Sequence, residues 1–223
     1  MTAAAIRETP AARPALRPVT AGARLTRLYL TSRRVPVAAG LLPGLGFLLW
    51  AALRWHWNIA GGPAAQRLIP LVVGTGAAAV VAVASHGPFG EPERATGRWL
   101  PWLRLGSALA LTAVAFAALS AGATGGYLPG GDLSLLRNLA GMTGTGLLAA
   151  AAFGGSFGWA GPMGYLLLVE GGLAGSWTTP WLWPGRPAND LGGALCACAV
   201  FAAGVIAVGM LARPALARGA APD

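Results

Sequence analysis

Two histidines, two cysteines and seven acidic side chains are the whole of the ordinary catalytic vocabulary in these 223 residues. Only one acid falls deep in an apolar stretch: Glu170, within Leu166-Leu-Leu-Val-Glu-Gly-Gly. A carboxyl group in hydrocarbon is costly, so it either serves ion or proton traffic inside a bundle or packs there protonated or hydrogen-bonded. Both readings stay open for Glu170. Arg137, near the start of another apolar stretch on the same expected side, is its candidate ionic partner. His56 and His86 lie in different links with no further ligand at metal spacing, and no Ser/His/Asp set or G-x-x-x-x-G-K-[ST] loop occurs. The sequence therefore predicts no catalytic residue, no metal and no cofactor bound by this chain. ATP-driven work would need another subunit. Cys196 and Cys198, two apart, point about 200° away from each other on a helix and cannot easily bridge. They read as small buried residues rather than as redox or metal ligands.

A second chemical cluster lies in the link 86–104, where Glu91, Glu93, Arg94 and Arg98 sit close to Trp99 and Trp102. A compact charged segment anchored by indoles would dock on a cytoplasmic protein. The alternative is an inner loop whose arginines only set orientation.

The elements that must carry these residues are six long apolar stretches, roughly 35–53, 68–85, 105–123, 139–157, 159–176 and 191–212. A hydrocarbon core about 30 Å thick needs about 20 apolar residues per helix. With 55% hydrophobic residues, 10% charged and a mean hydropathy of +0.60, no large soluble domain remains. Continuous Ala/Leu/Val/Gly runs replace the alternation of a membrane β-barrel, so the fold class is all-α: a polytopic integral membrane protein with six transmembrane helices spanning 24–212. Residues 1–23, with Pro10, Pro14 and Pro18, read as a disordered cytoplasmic tail, and 213–223 as a C-terminal cytoplasmic tail. The first 34 residues lack an apolar core, so the first stretch reads as an uncleaved helix, with a signal cleaved near Gly61 as the alternative.

The net charge of +9 resembles that of a nucleic-acid binder, yet its distribution fits a membrane. All basic residues are Arg; twelve fall before the first span, in the second–third link or after the last span, four (Arg54, Arg67, Arg137 and Arg186) on the other side. That bias places both termini in the cytoplasm, and the Ala-, Gly- and Arg-rich text suggests a bacterial cytoplasmic membrane. The nine Trp fall at or near expected span ends, as headgroup-level anchors do. In 24–35, Leu25, Leu28, Tyr29 and Val35 share one helical face and Arg27 and Arg34 the other, Leu30 excepted. This is an interfacial amphipathic helix or a simple extension of the first span. The link 177–190 is too apolar for a hydrated loop and is expected to dip into the outer headgroup layer. Gly40/Gly44, Gly122/Gly126, Gly154/Gly158 and Gly171/Gly175 are pairs that let helices approach closely.

Together, the amphipathic leading segment, the charged second–third link, the tight fourth–fifth turn and the apolar link before the last span resemble the permease subunits of small six-helix bacterial ABC exporters. The resemblance is architectural and runs from about Arg24 to the end of the chain. It implies two permease copies, homo- or heterodimeric, and a separate ATP-binding subunit that holds ATP and Mg. It also implies that Glu91, Glu93, Arg94 and Arg98 form the segment seated on that ATPase. The nearly uncharged spans suit a hydrophobic or amphipathic substrate. A non-transport membrane protein, such as an immunity, assembly or anchoring factor, and a self-contained carrier or channel using Glu170 are the alternatives.

Overall fold

The structure, a computed structural model, describes residues 35–55, 62–85, 100–175 and 179–210. Among them it is all-helical, without strands. The described residues form six α-helices in order: α1 (Val35–Arg54), α2 (Gly62–Ala84), α3 (Leu100–Ala123), α4 (Gly131–Phe153), α5 (Ala160–Ala174) and α6 (Leu191–Met210). The segment carrying Arg27 and Arg34, and the link residues Glu91, Glu93, Arg94 and Arg98, lie outside the described residues.

Among the described residues, four helices are long and apolar enough to cross a membrane: α1, α2 from Arg67 onward, α3 from Trp102 onward, and α6. The chain is thus a membrane protein by this criterion. The remaining two depart from it for different physical reasons. With 15 residues, α5 is only about 22 Å long, short of a core of about 30 Å. The 23 residues of α4 are long enough but carry Asp132, Ser134, Arg137, Asn138, Thr143 and Thr145. Position explains that polarity. α4 packs on α2, α3, α5 and α6, so protein rather than lipid surrounds it, and Ser134, Arg137 and Thr143 are buried. The peripheral helices show the reverse: Phe47 of α1 is 63% exposed and Leu167 of α5 74% exposed.

Successive helices alternate in direction. Gly125 approaches Arg54 and Gly130 approaches Ala188 at one end, while Gly146 approaches Ala82 and Gly158 at the other. Arg54, Arg67, Arg137 and Arg186 consequently gather at one end of the bundle, called here the arginine end. Backbone contact between helices depends on missing side chains. A Cβ on Gly46 of α1 would collide with the carbonyl of Ala118, and one on Gly122 of α3 with that of Gly46. The α4–α6 seam is alike: a Cβ on Gly144 would lie 2.6 Å from the Phe201 backbone, and one on Gly204 2.7 Å from the Gly144 oxygen. In lipid, where apolar surface gains little by leaving the solvent, such close packing is a main source of helix association. The sequence pairs are thus unequal: Gly122 is at a seam, whereas Gly40, Gly44 and Gly171 face open space.

Hydroxyl groups inside the helices are mostly satisfied locally. Thr75, Ser85 and Thr112 each donate to the carbonyl four residues back at 2.7 Å, and Ser107 and Thr145 to the one three back. The turn between α4 and α5 is tight, a single 3-10 turn at Gly155–Phe157 entered through Gly154 at φ 94°. At the head of α3, Pro101 falls in the first helical turn, where the missing N–H costs little, so the helix takes in the last residues of the 86–104 link.

Candidate functional site

The last link at the arginine end, expected to dip into the outer headgroup layer, sends two side chains into the bundle. Leu182 and Trp183 are both 1% exposed. The Trp183 indole stacks on Tyr165 of α5 with centroids 4.3 Å apart and planes 17° from parallel. It occupies the space above Gly141 of α4, where an added Cβ would lie 2.5 Å from Cε2. Tyr165 donates a short hydrogen bond to the Trp181 carbonyl. The expectation that every Trp marks a span end therefore fails at Trp183: its ring is core packing between α4 and α5.

Polar groups hold the rest of that link. Arg137, 5% exposed, donates from Nη1 to the Pro187 carbonyl at 2.6 Å and from Nη2 to the Arg186 carbonyl at 2.9 Å. A guanidinium excluded from water needs acceptors, and the link turns two carbonyls inward to supply them. Arg186 forms a two-bond ion pair with Asp190, Nε to Oδ2 at 3.0 Å and Nη2 to Oδ1 at 2.8 Å. Asp190 also caps α6, accepting the Gly193 N–H at 2.6 Å. The Arg186 hydrogen bonds, followed by the Gly193 bond, lower the Asp190 carboxyl from 3.8 to about 2. The same pairing raises Arg186.

Behind this strap lies a cavity of about 610 Å³, within the range of small-molecule sites. Near the opposite end Gly158, in the turn leading into α5, rests on Ala82 of α2, and the cavity opens between α2 and α5 in front of α4. From α2 the stripe Arg67, Pro70, Leu71, Gly74 faces it, at helical spacing. α4 contributes Ser134, Asn138, Leu139 and Met142, and α5 contributes Glu170 and Leu173. Residues 127–130 and 184–188 border it at the arginine end. The floor is apolar and the rim carries charge. Asn138 Oδ1 is buried without a hydrogen-bond partner, one of the few such atoms among the described residues.

The sequence candidates separate on this frame. Glu170 and Arg137 are both at the arginine end but do different things. Glu170 is exposed, one turn from the end of α5, and lines the cavity. Arg137 is buried and bonded to link carbonyls, which corrects the expected Glu170–Arg137 pair. Arg67, Asn138, Arg186 and Asp190 were not singled out from sequence; the only available signal was the clustering of outer-side arginines. Of the cysteines, Cys196 is half-buried and Cys198 exposed, so the expectation that both are buried fails for Cys198. No group of three metal-ligating side chains occurs among the described residues. Compared with protein-family models, curated protein sequences and solved structures, the chain matches none.

Proposed function

We propose that the chain crosses a bacterial cytoplasmic membrane six times, with both termini in the cytoplasm, and serves as the membrane subunit of an ABC exporter. The observation that carries this reading is the amphipathic cavity between α2 and α5 at the arginine end, with apolar floor and charged rim. Such a space suits a substrate partitioned between hydrocarbon and water. Four apolar helices, the arginine distribution and the alternation of helix direction support the membrane part. On this reading α4 crosses inside the protein, shielded from lipid, and α5 crosses with the Leu182 and Trp183 side chains packed into the bundle beside it. Residues 24–35 lie on the inner leaflet as an amphipathic helix through Arg27 and Arg34. The cofactors, ATP and Mg, belong to a separate ATPase on which Glu91, Glu93, Arg94 and Arg98 dock, and two permease copies form the conduit. Nucleic acid has no part in it.

The test is purification from native membranes followed by reconstitution. An ATPase that co-purifies, and ATP-dependent efflux of an amphipathic dye, are the expected results. Glu93→Arg with Arg94→Glu should then weaken ATPase capture while leaving membrane insertion intact. Stable isolation with no ATPase removes the exporter reading. A self-contained carrier is the second reading, favoured by the presence of Glu170 on the cavity wall. It requires flux in liposomes without any ATPase, abolished by Glu170→Gln.

A further inference from the structure

We infer that the cavity takes a zwitterionic amphiphile, with its anionic group at Arg67, its cationic group at Glu170 and its apolar chain over Leu71, Leu139 and Met142. The inference rests on reading this cavity as the substrate site of the function proposed above, and it narrows the substrate class.

Charge accounting among the lining residues carries it. Two cations and one acid reach the cavity: Arg67, Arg186 and Glu170. Arg186 is engaged with Asp190 through two hydrogen bonds and is also a fixed part of the strap. That leaves Arg67 on α2 and Glu170 on α5, opposite in sign and on different helices. Both are exposed, and no ion pair joins them among the described residues. A purely anionic ligand would leave Glu170 facing its charge, and a purely cationic one would face Arg67. Only a molecule with both signs offers each group an opposite charge. Between and beneath the two charges the walls are hydrocarbon. Leu71, Leu139 and Met142 are buried core residues whose surfaces also face the space. Gly74, one helical turn below Pro70, adds no side chain there: a Cβ built on it meets nothing within 4 Å. The depth left open by Gly74 is where a chain would lie. A membrane phospholipid and a free single-chain amphiphile share this chemistry.

The experiment uses the full chain in a nonionic detergent, without ATPase, and measures binding by native mass spectrometry. Three probes share one 12-carbon chain: a phosphoethanolamine, a phosphate monoester and a primary alkylammonium. The phosphoethanolamine should bind most tightly. Arg67→Gln should weaken it and the phosphate probe by about five- to tenfold, the range for a partly exposed charge-assisted contact. Glu170→Gln should weaken the phosphoethanolamine and ammonium probes and leave the phosphate probe at least as tight. Gly74→Leu should fill the cavity and reduce all three, with the thermal unfolding midpoint held or raised, since Leu is the better helix former. A co-purified diacyl zwitterionic lipid displaced by the probe assigns the membrane as the source; probe binding to a lipid-free protein assigns a soluble amphiphile. Equal affinity for the three probes, or wild-type binding by both charge variants, overturns the inference. ATP-driven transport of a dye without preference for the zwitterion removes this inference alone. Zwitterion binding by a chain that never captures an ATPase removes only the exporter.

Discussion

Replacing Arg137 with Met tests whether a buried guanidinium, rather than the visible ion pair, holds the 179–190 link in the bundle. Met retains much of the volume but deletes both bonds to the Arg186 and Pro187 carbonyls. Hydrogen bonds to a charged donor contribute about 1.5–3 kcal/mol each, so the gross loss is about 3–6 kcal/mol. The variant also escapes the desolvation of a cation, a penalty of several kcal/mol that offsets part of the loss. A net shift of about 2–3 kcal/mol remains, which raises the population of the released link about 30- to 150-fold. The readout is maleimide labelling of Ala188→Cys, in a background where Cys196 and Cys198 are replaced by Ala. Arg137→Met should speed labelling by that factor. Arg186→Gln, which breaks the partly exposed Arg186–Asp190 pair, should speed it far less, because solvent already screens that contact. If Arg137→Met labels at the wild-type rate, or Arg186→Gln releases the link as strongly, the reasoning is wrong.

Three further outcomes are expected. Gly46→Val and Gly122→Val should each cost about 3 kcal/mol by thermal unfolding in detergent, since the collision is with backbone that no rotamer relieves. Gly40→Ala and Gly44→Ala, with nothing within 4 Å, should be neutral or stabilising by up to about 1 kcal/mol; parity between the two sets would show that α1 does not seat on α3 as described. Gly141→Ala places a methyl 2.8 Å from Trp183 Nε1 and should destabilise by about 1–3 kcal/mol, with increased proteolysis of the 179–190 link; an unchanged midpoint would argue against a buried indole. The Asp190 carboxyl is held below its ordinary value, so its stabilising effect is present above pH 3.8 and is lost as pH falls through about 2. Pepsin cleavage in the link should rise between pH 4 and 2 in wild type, and already be high at pH 4 in Asp190→Asn; equal profiles would discount the capping role.

Much of the architecture was legible in composition because the demand is local. Hydrocarbon leaves no water to satisfy a backbone, so an apolar run of about 20 residues becomes a helix whatever its neighbours do. That logic located α1, α2, α3 and α6. It carried less information about α4, whose tolerance for Asp132 and Arg137 arises from the helices around it. It also assigned Trp183 by residue type to a boundary, although Gly141, two helices earlier in the chain, leaves room for the ring inside the bundle.

From the sequence alone came the helical class, the membrane setting, the concentration of arginines outside the apolar stretches and the acid Glu170 within the fifth of them. Each follows from solvation of individual groups, which needs no knowledge of what lies beside them. The tertiary structure decided what those groups meet. Arg137 finds link carbonyls far along the chain rather than Glu170, Gly46 and Gly122 prove to be the glycines in contact, and Glu170 shares a cavity with Arg67. Such pairings depend on helix rotation and neighbour order, and many arrangements of the same apolar runs satisfy the lipid equally well.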